Sequence, residues 1–188
     1  MEAFFVSAAA VAIGEIGDKT QLLAFILAAR FRRPAPVIAG IFIATLFNHA
    51  LAGMVGGWVR THVDSNLLRW ILGLSFLAIA AWALKADELD ESESRPSSRH
   101  GVFLVTVMAF FLAEIGDKTQ LATVALAARF DSLFAVVAGT TLGMLLADAP
   151  VVLAGGKASL RIPFKAVRYV SAALFTAIGA AVLAGFPR

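Results

Sequence analysis

Six long apolar segments constrain this chain more than any other feature. They cover residues 3–29, 34–59, 67–86, 101–128, 133–155 and 164–184. Each reaches the roughly 20 residues that a helix needs to span the hydrocarbon core of a bilayer. The segments are too long and too continuous for barrel strands, and a helix satisfies its own backbone hydrogen bonds in lipid. We therefore expect an all-α membrane protein with six transmembrane helices.

Other features of the sequence narrow the class of protein. The first segment carries Glu2 and no basic residue ahead of its apolar run, so we interpret it as a span and not as a cleaved signal peptide. The absence of cysteine excludes disulfides and thiolate metal sites. No basic stripe is interleaved with aromatic residues, which argues against a nucleic-acid partner.

The chain repeats itself after 99 residues. The segment EIGDKTQLLAFILAARF, which begins at Glu15, matches EIGDKTQLATVALAARF, which begins at Glu114, at 13 of 17 positions. Each copy holds three apolar segments, so the second copy enters the membrane from the opposite side. This inverted-topology repeat is typical of secondary transporters. We expect two three-helix repeats, residues 1–86 and 101–188, joined by an acidic linker at residues 87–100.

The distribution of Lys and Arg predicts the orientation. Ten follow the first, third and fifth segments: Arg30, Arg32, Arg33, Lys85, Arg95, Arg99, Lys157, Arg161, Lys165 and Arg168. Four lie on the other side: Arg60, Arg69, Arg129 and Arg188. This bias predicts a cytoplasmic linker and both termini outside. The linker is either a solvated connector or an acidic stretch that gathers cations near an entrance.

Each copy of the repeated motif places two carboxylates and a lysine deep in the membrane. Glu15 stands 12 residues into its segment, near mid-bilayer, and ionisable residues at such depth are functional by default. On a continuous helix Glu15, Asp18, Lys19 and Gln21 would share one face. Gly17 would lie opposite, where it would permit close helix packing.

The two threonines of the motif, Thr20 and Thr119, stand directly after its lysines. On a continuous helix Thr20 would lie off the carboxylate face and would hydrogen-bond a backbone carbonyl. Ser7, two turns before Glu15, and its counterpart Thr106 would fall on the polar face.

Two antiparallel copies would form a hard-oxygen site for a divalent cation. Its candidate ligands are Glu15, Asp18, Gln21, Glu114, Asp117 and Gln120. Such ligands suit Ca²⁺, Mn²⁺ or Mg²⁺. Lys19 and Lys118 each follow a glutamate by four residues, so we expect each to pair with its own glutamate. The alternative is a structural ion-pair cluster that locks two helices, although buried pairs stabilise weakly.

The middle helix of each repeat contributes a further polar residue. Asp148 is either a ligand or proton carrier, or a plain buried polar contact. His49 occupies the corresponding place in the first repeat and is either functional or a packing residue. With five acids and two lysines the core carries three negative charges, which a divalent cation reduces to one. Carboxylates this close cannot all stay ionised, so protons and metal would compete for them.

Two copies of Glu-x-Gly-Asp-Lys-Thr, one per three-helix repeat, make the chain resemble the family of Golgi calcium/manganese–proton exchangers and their bacterial manganese-exporter relatives. The resemblance covers essentially the whole chain and implies exchange of Mn²⁺, with Ca²⁺ as a further substrate, for protons. It assigns the motif acids to Glu15, Asp18, Glu114 and Asp117. The chain lacks the long N-terminal extension of the eukaryotic members, so we expect a compact prokaryotic form in the inner (plasma) membrane.

A different class of function is a small-metabolite exporter, of the amino-acid type, with a similar six-helix plan. Four mid-membrane carboxylates suit a cation better than a zwitterion. An enzyme is not expected, because the sequence offers no Cys nucleophile, histidine cluster or Gly-rich phosphate loop. No permanent cofactor is expected, only the transported cation, protons and the surrounding lipid as partners. The oligomeric state is left open.

Overall fold

A computed structural model describes residues 1–85, 101–154 and 164–185. These residues form eight helices and no strand, which confirms the all-α prediction. The helices are α1 (Glu2–Glu15), α2 (Lys19–Phe31), α3 (Pro34–His62), α4 (Ser65–Ala83), α5 (Val102–Glu114), α6 (Lys118–Arg129), α7 (Leu133–Ala154) and α8 (Phe164–Leu183). The predicted acidic linker at residues 87–100 lies outside the described residues.

Three of these helices are long and apolar enough to cross a membrane, namely α3, α4 and α7. Two shorter apolar stretches occur at Val102–Glu114 and Arg168–Leu183. The helix boundaries in the two halves correspond at the 99-residue spacing of the sequence repeat. Thus α1 and α5 end at Glu15 and Glu114, and α2 and α6 begin at Lys19 and Lys118.

The first and fourth apolar segments are each broken into two helices, so the prediction of continuous helices through the motif was wrong. Gly17 and Gly116 have φ angles of 80° and 77°, in the left-handed region that glycine adopts without a steric penalty. Asp18 then takes the N-cap position of α2 and accepts a hydrogen bond from the Lys19 backbone N–H at 2.8 Å. Gly17 therefore turns the backbone at this break.

The two halves interlock through their middle helices. Helix α7 packs closely on α1, where a Cβ added at Gly139 would lie 2.4 Å from the Phe4 carbonyl oxygen and 3.0 Å from the Cβ of Ser7. In the same way α3 packs on α5, where a Cβ added at Gly40 would lie 2.6 Å from the Cβ of Thr106. Small residues permit this close approach, as is usual between membrane helices. Ser7 and Thr106 therefore lie at reciprocal helix contacts.

Two apolar clusters surround these contacts. One joins α1, α4, α6, α7 and α8 around Phe76 and Phe175, whose rings stack with their centroids 6.5 Å apart. The other joins α1, α2, α3, α5 and α7 around Phe110. Together they hold the two broken segments side by side. The fold thereby brings the two copies of the motif together.

Candidate metal centre

The two helix breaks bring the acids of both motifs into one buried region. Glu15 and Glu114 are the last residues of α1 and α5, and both are fully buried. Asp18 and Asp117 precede α2 and α6, and they are 4% and 3% exposed. The C-terminal ends of α1 and α5 carry the negative ends of their helix dipoles, which favours a cation at this place.

Three carboxylates lie close enough to share one cation. Ligand atoms of Glu15, Glu114 and Asp117 all lie within 4.8 Å of one another. One oxygen of each glutamate, Oε1, is buried and has no hydrogen-bond partner within residues 1–85, 101–154 and 164–185. Buried carboxylate oxygens without partners are costly unless a cation or proton occupies them. The donor set consists of hard oxygens, which fits a divalent cation of the Mn²⁺ or Ca²⁺ type.

The motif threonines hold the other glutamate oxygens. Thr20 Oγ1 donates a hydrogen bond to Glu15 Oε2, and Thr119 Oγ1 donates to Glu114 Oε2 at 3.2 Å. The prediction that Thr20 bonds a backbone carbonyl was therefore wrong, because the helix break turns its hydroxyl toward the glutamate. Each threonine thus bonds Oε2 of its own glutamate and not Oε1.

The motif glutamines close the helix breaks with their amide oxygens. Gln21 Oε1 accepts from the Gly17 N–H at 2.9 Å, and Gln120 Oε1 accepts from the Gly116 N–H at 2.8 Å. These bonds satisfy N–H groups that the unwound turns would otherwise leave unpaired. The sequence predicted both amide oxygens as metal ligands, which stays a prediction; in the structure each oxygen accepts a backbone N–H beside the carboxylates.

Each glutamine also reaches the middle helix of the other half. Gln21 Nε2 donates to the Ala147 carbonyl oxygen of α7 at 3.1 Å. Gln120 Nε2 approaches the Asn48 side-chain oxygen of α3 at 3.5 Å, and Asn48 in turn donates to the Phe111 carbonyl at 3.1 Å. Asn48 was not predicted as a site residue. The sequence did carry a signal for Asn48, because it is a polar residue within an apolar segment and aligns with Ala147 at the 99-residue repeat spacing. The structure shows that it is buried.

The lysines pair across the two halves. Lys118 Nζ lies 2.8 Å from Asp18 Oδ2, and Lys19 Nζ lies 3.9 Å from Asp117 Oδ1. The predicted pairing of each lysine with its own glutamate was wrong, because that prediction required an unbroken helix. The break ends one helix at the glutamate and starts another at the lysine, which points the lysine toward the opposite motif.

Asp148 and His49 are both fully buried within the middle helices. Among the residues that the structure describes, neither side chain has a hydrogen-bond partner on either of its polar atoms. Asp148 follows Ala147, whose carbonyl accepts the Gln21 amide, and so it stands beside the first helix break.

Comparison with known proteins identifies the class of transporter. The family model described as "Divalent cation/proton antiporter GDT1" matches this chain over residues 3–91 and 102–186. A Vibrio cholerae protein named "Putative manganese exporter" is 50% identical over 93% of this chain and 87% of its own length. GDT1-like protein sll0615 of Synechocystis is 29% identical, over 93% of both chains.

More distant relatives extend to plants. GDT1-like protein 4 of Oryza sativa subsp. indica is 28% identical over 93% of this chain and 70% of its own length. No solved structure matches the chain. The family match spans nearly all of both halves and confirms the resemblance inferred from the doubled motif. The chain belongs to the GDT1 family of divalent cation/proton antiporters, and is thus a membrane transporter.

Proposed function

We propose that this protein exports Mn²⁺ from the cytoplasm in exchange for protons, with Ca²⁺ as a second substrate. The observation that carries the proposal is the buried cluster of Glu15, Glu114 and Asp117, whose ligand atoms lie within 4.8 Å of one another. The name of the Vibrio cholerae relative, which is 50% identical, supports manganese and the outward direction. Asp18, Gln21 and Gln120 remain candidate ligands beside this cluster.

Proton exchange follows from the crowding of acids at the proposed site. Five carboxylates, those of Glu15, Asp18, Glu114, Asp117 and Asp148, are all buried. A departing divalent cation leaves negative charges close together in a medium of low dielectric constant, so protons take its place. Metal and protons then compete for the same oxygens, which couples their movements in opposite directions.

The proposed architecture is six spans arranged as two inverted three-helix repeats in the inner membrane, with both termini outside. Helices α1 and α2 together form the first span, and α5 and α6 form the fourth. The correspondence of helix boundaries between the halves supports this arrangement, as does the reciprocal packing of α7 on α1 and α3 on α5. An odd number of spans per repeat requires the second repeat to be inverted.

The rival function, export of a small amino-acid-like metabolite, lacks a supporting observation. A zwitterion needs an anion-binding partner for its own carboxylate. Both motif lysines lie against aspartates of the opposite motif, at 2.8 and 3.9 Å. The proposed site therefore presents mainly carboxylate oxygens, which favours a cation.

The test is transport by purified protein in liposomes with an imposed pH gradient. Mn²⁺ and Ca²⁺ fluxes are measured separately, with protein-free liposomes as control. We expect Mn²⁺ movement that reverses when the gradient is reversed, together with proton movement in the opposite direction. Flux that ignores the pH gradient, or no flux of any divalent cation, would contradict the proposal.

A further inference from the structure

The two motifs have the same sequence but unequal ion pairs. Lys118 and Asp18 form an ion pair with Nζ and Oδ2 2.8 Å apart, and their side chains are 5% and 0% exposed. Lys19 and Asp117 lie 3.9 Å apart, beyond hydrogen-bond distance, and the Lys19 side chain is 17% exposed. Since both copies read Glu-Ile-Gly-Asp-Lys-Thr, this inequality arises from the conformation and not from the residues.

Of the two aspartates, the one with the longer lysine contact belongs to the carboxylate cluster and the other does not. Asp117, the aspartate with the longer lysine contact, lies with Glu15 and Glu114 in the three-carboxylate cluster. Asp18, the aspartate in close contact with a lysine, is bound by Lys118 from the other half. A lysine ammonium in this position supplies the positive charge that a buried carboxylate requires.

The pseudo-symmetry of the sequence makes the reverse arrangement available to the same groups. In it Lys19 would bind Asp117 closely, and Asp18 would join the two glutamates. Inverted repeats commonly exchange conformations when a transporter alternates between its two open sides. The two arrangements would therefore belong to opposite stages of one transport cycle.

We propose that Lys19 and Lys118 are positioning residues that alternate as counter-ions during transport, an inference that rests on the proposed inverted repeat and cation exchange. One lysine binds the aspartate of the other half, while the second aspartate joins Glu15 and Glu114 around the cation. The change of access then exchanges these roles. Each lysine stabilises one of the two stages, and neither is a ligand.

The experiment uses the cysteine-free chain to report which side is open. Ser7→Cys and Thr106→Cys place single thiols at equivalent, fully buried positions on α1 and α5. Their rates of reaction with a membrane-impermeant maleimide are measured in nanodiscs without divalent cations. The ratio of the two rates follows the balance between the two stages.

We expect Lys118→Met and Lys19→Met to shift this ratio in opposite directions. A shift of about tenfold is expected, because removing one partner of a buried ion pair costs enough free energy to change a two-state population by that factor. Lys19→Arg and Lys118→Arg keep the charge and serve as matched controls with ratios near that of the parent chain. Shifts in the same direction, or an unchanged ratio, would overturn the proposal.

Two further outcomes are separated by this design. If Lys118→Met fails to fold, Lys19→Met alone must still shift the ratio. The Lys19 side chain is partly exposed and is not part of the buried 2.8 Å pair, so its replacement should not prevent folding. An unchanged ratio in Lys19→Met again overturns the proposal. The thiol measurement needs no transport, so absent Mn²⁺ flux with opposite shifts would refute the proposed function alone. Mn²⁺ flux without the shifts would refute the alternation alone.

Discussion

The two helix breaks of this protein have the same local sequence but different surroundings. Both turn at a glycine with positive φ, and in both a glutamine oxygen accepts the glycine N–H. The first break is tied to the backbone carbonyl of Ala147, whereas the second approaches the side chain of Asn48. The local sequence thus determines the turn, while the middle helix of the other half determines which group accepts the glutamine N–H.

The same contrast appears beside the carboxylates. Asp148 stands next to Ala147 on α7, and His49 stands next to Asn48 on α3, at the corresponding place. One half therefore carries a buried acid and the other a buried imidazole at the corresponding position of the middle helix. Duplication supplied two equal motifs, and divergence of the middle helices made their environments unequal.

The largest expected effect is equal in both halves. Glu15→Gln and Glu114→Gln each remove one clustered carboxylate and should lower Mn²⁺ flux by at least about 100-fold, because loss of one partner of a buried charged pair costs roughly 3–5 kcal/mol. The protein should still insert, since neutralising a mid-membrane acid does not oppose insertion. The measurement is Mn²⁺ flux per inserted molecule. Full transport in Glu15→Gln would contradict the metal-site hypothesis. Loss of folded protein with unchanged flux per molecule would favour a structural ion-pair cluster that locks two helices.

The second-largest effect on Mn²⁺ flux should differ between the two middle helices, α7 and α3. Asp148→Asn should lower Mn²⁺ flux about tenfold, because one charge acting on the glutamates through a partly screened medium contributes on this scale. His49→Gln, at the corresponding position, should change flux less. Initial rates of Mn²⁺ uptake in liposomes compare the two variants, and a larger effect of His49→Gln would reverse the assignment.

A smaller effect should be common to both breaks. Gly17→Ala and Gly116→Ala place a Cβ at a left-handed backbone position and should each cost about 1–2 kcal/mol of stability. Nothing lies within 4 Å of a Cβ added at Gly116, so there the cost is conformational alone. Thermal unfolding followed by tryptophan fluorescence measures it, with Gly57→Ala, a helical site also free of contacts, as control. An unchanged midpoint in Gly116→Ala would contradict the strained turn.

The smallest effect should be confined to the second break. Asn48→Ala removes the side-chain partner of Gln120 and should lower flux about two- to tenfold, the range for one neutral hydrogen bond. Asn48→Asp keeps an acceptor for Gln120 and should retain more activity. Concentration dependence of Mn²⁺ flux separates weaker binding from slower turnover, and equal rates in Asn48→Ala and the parent chain would remove Asn48 from the site.

The sequence could have indicated the helix breaks, although the continuous-helix interpretation missed them. Gly-Asp within an apolar run combines a residue that tolerates positive φ with a preferred N-cap residue. Recognising it would have corrected the orientation of Thr20 and of both lysines, because residues beyond a break no longer follow the periodicity of the preceding helix. The cross-pairing of Lys118 with Asp18 could not be foreseen, since it joins residues a hundred positions apart.

The sequence by itself determined the helical, apolar character of this protein, its internal repeat and the acids of its doubled motif. Those properties depend on composition and local spacing, which survive in any arrangement of the helices. Only the tertiary structure decided which three carboxylates cluster, which lysine meets which aspartate and how each glutamine is anchored. These are contacts between distant segments, so packing of α3 and α7 against the opposite half fixes them.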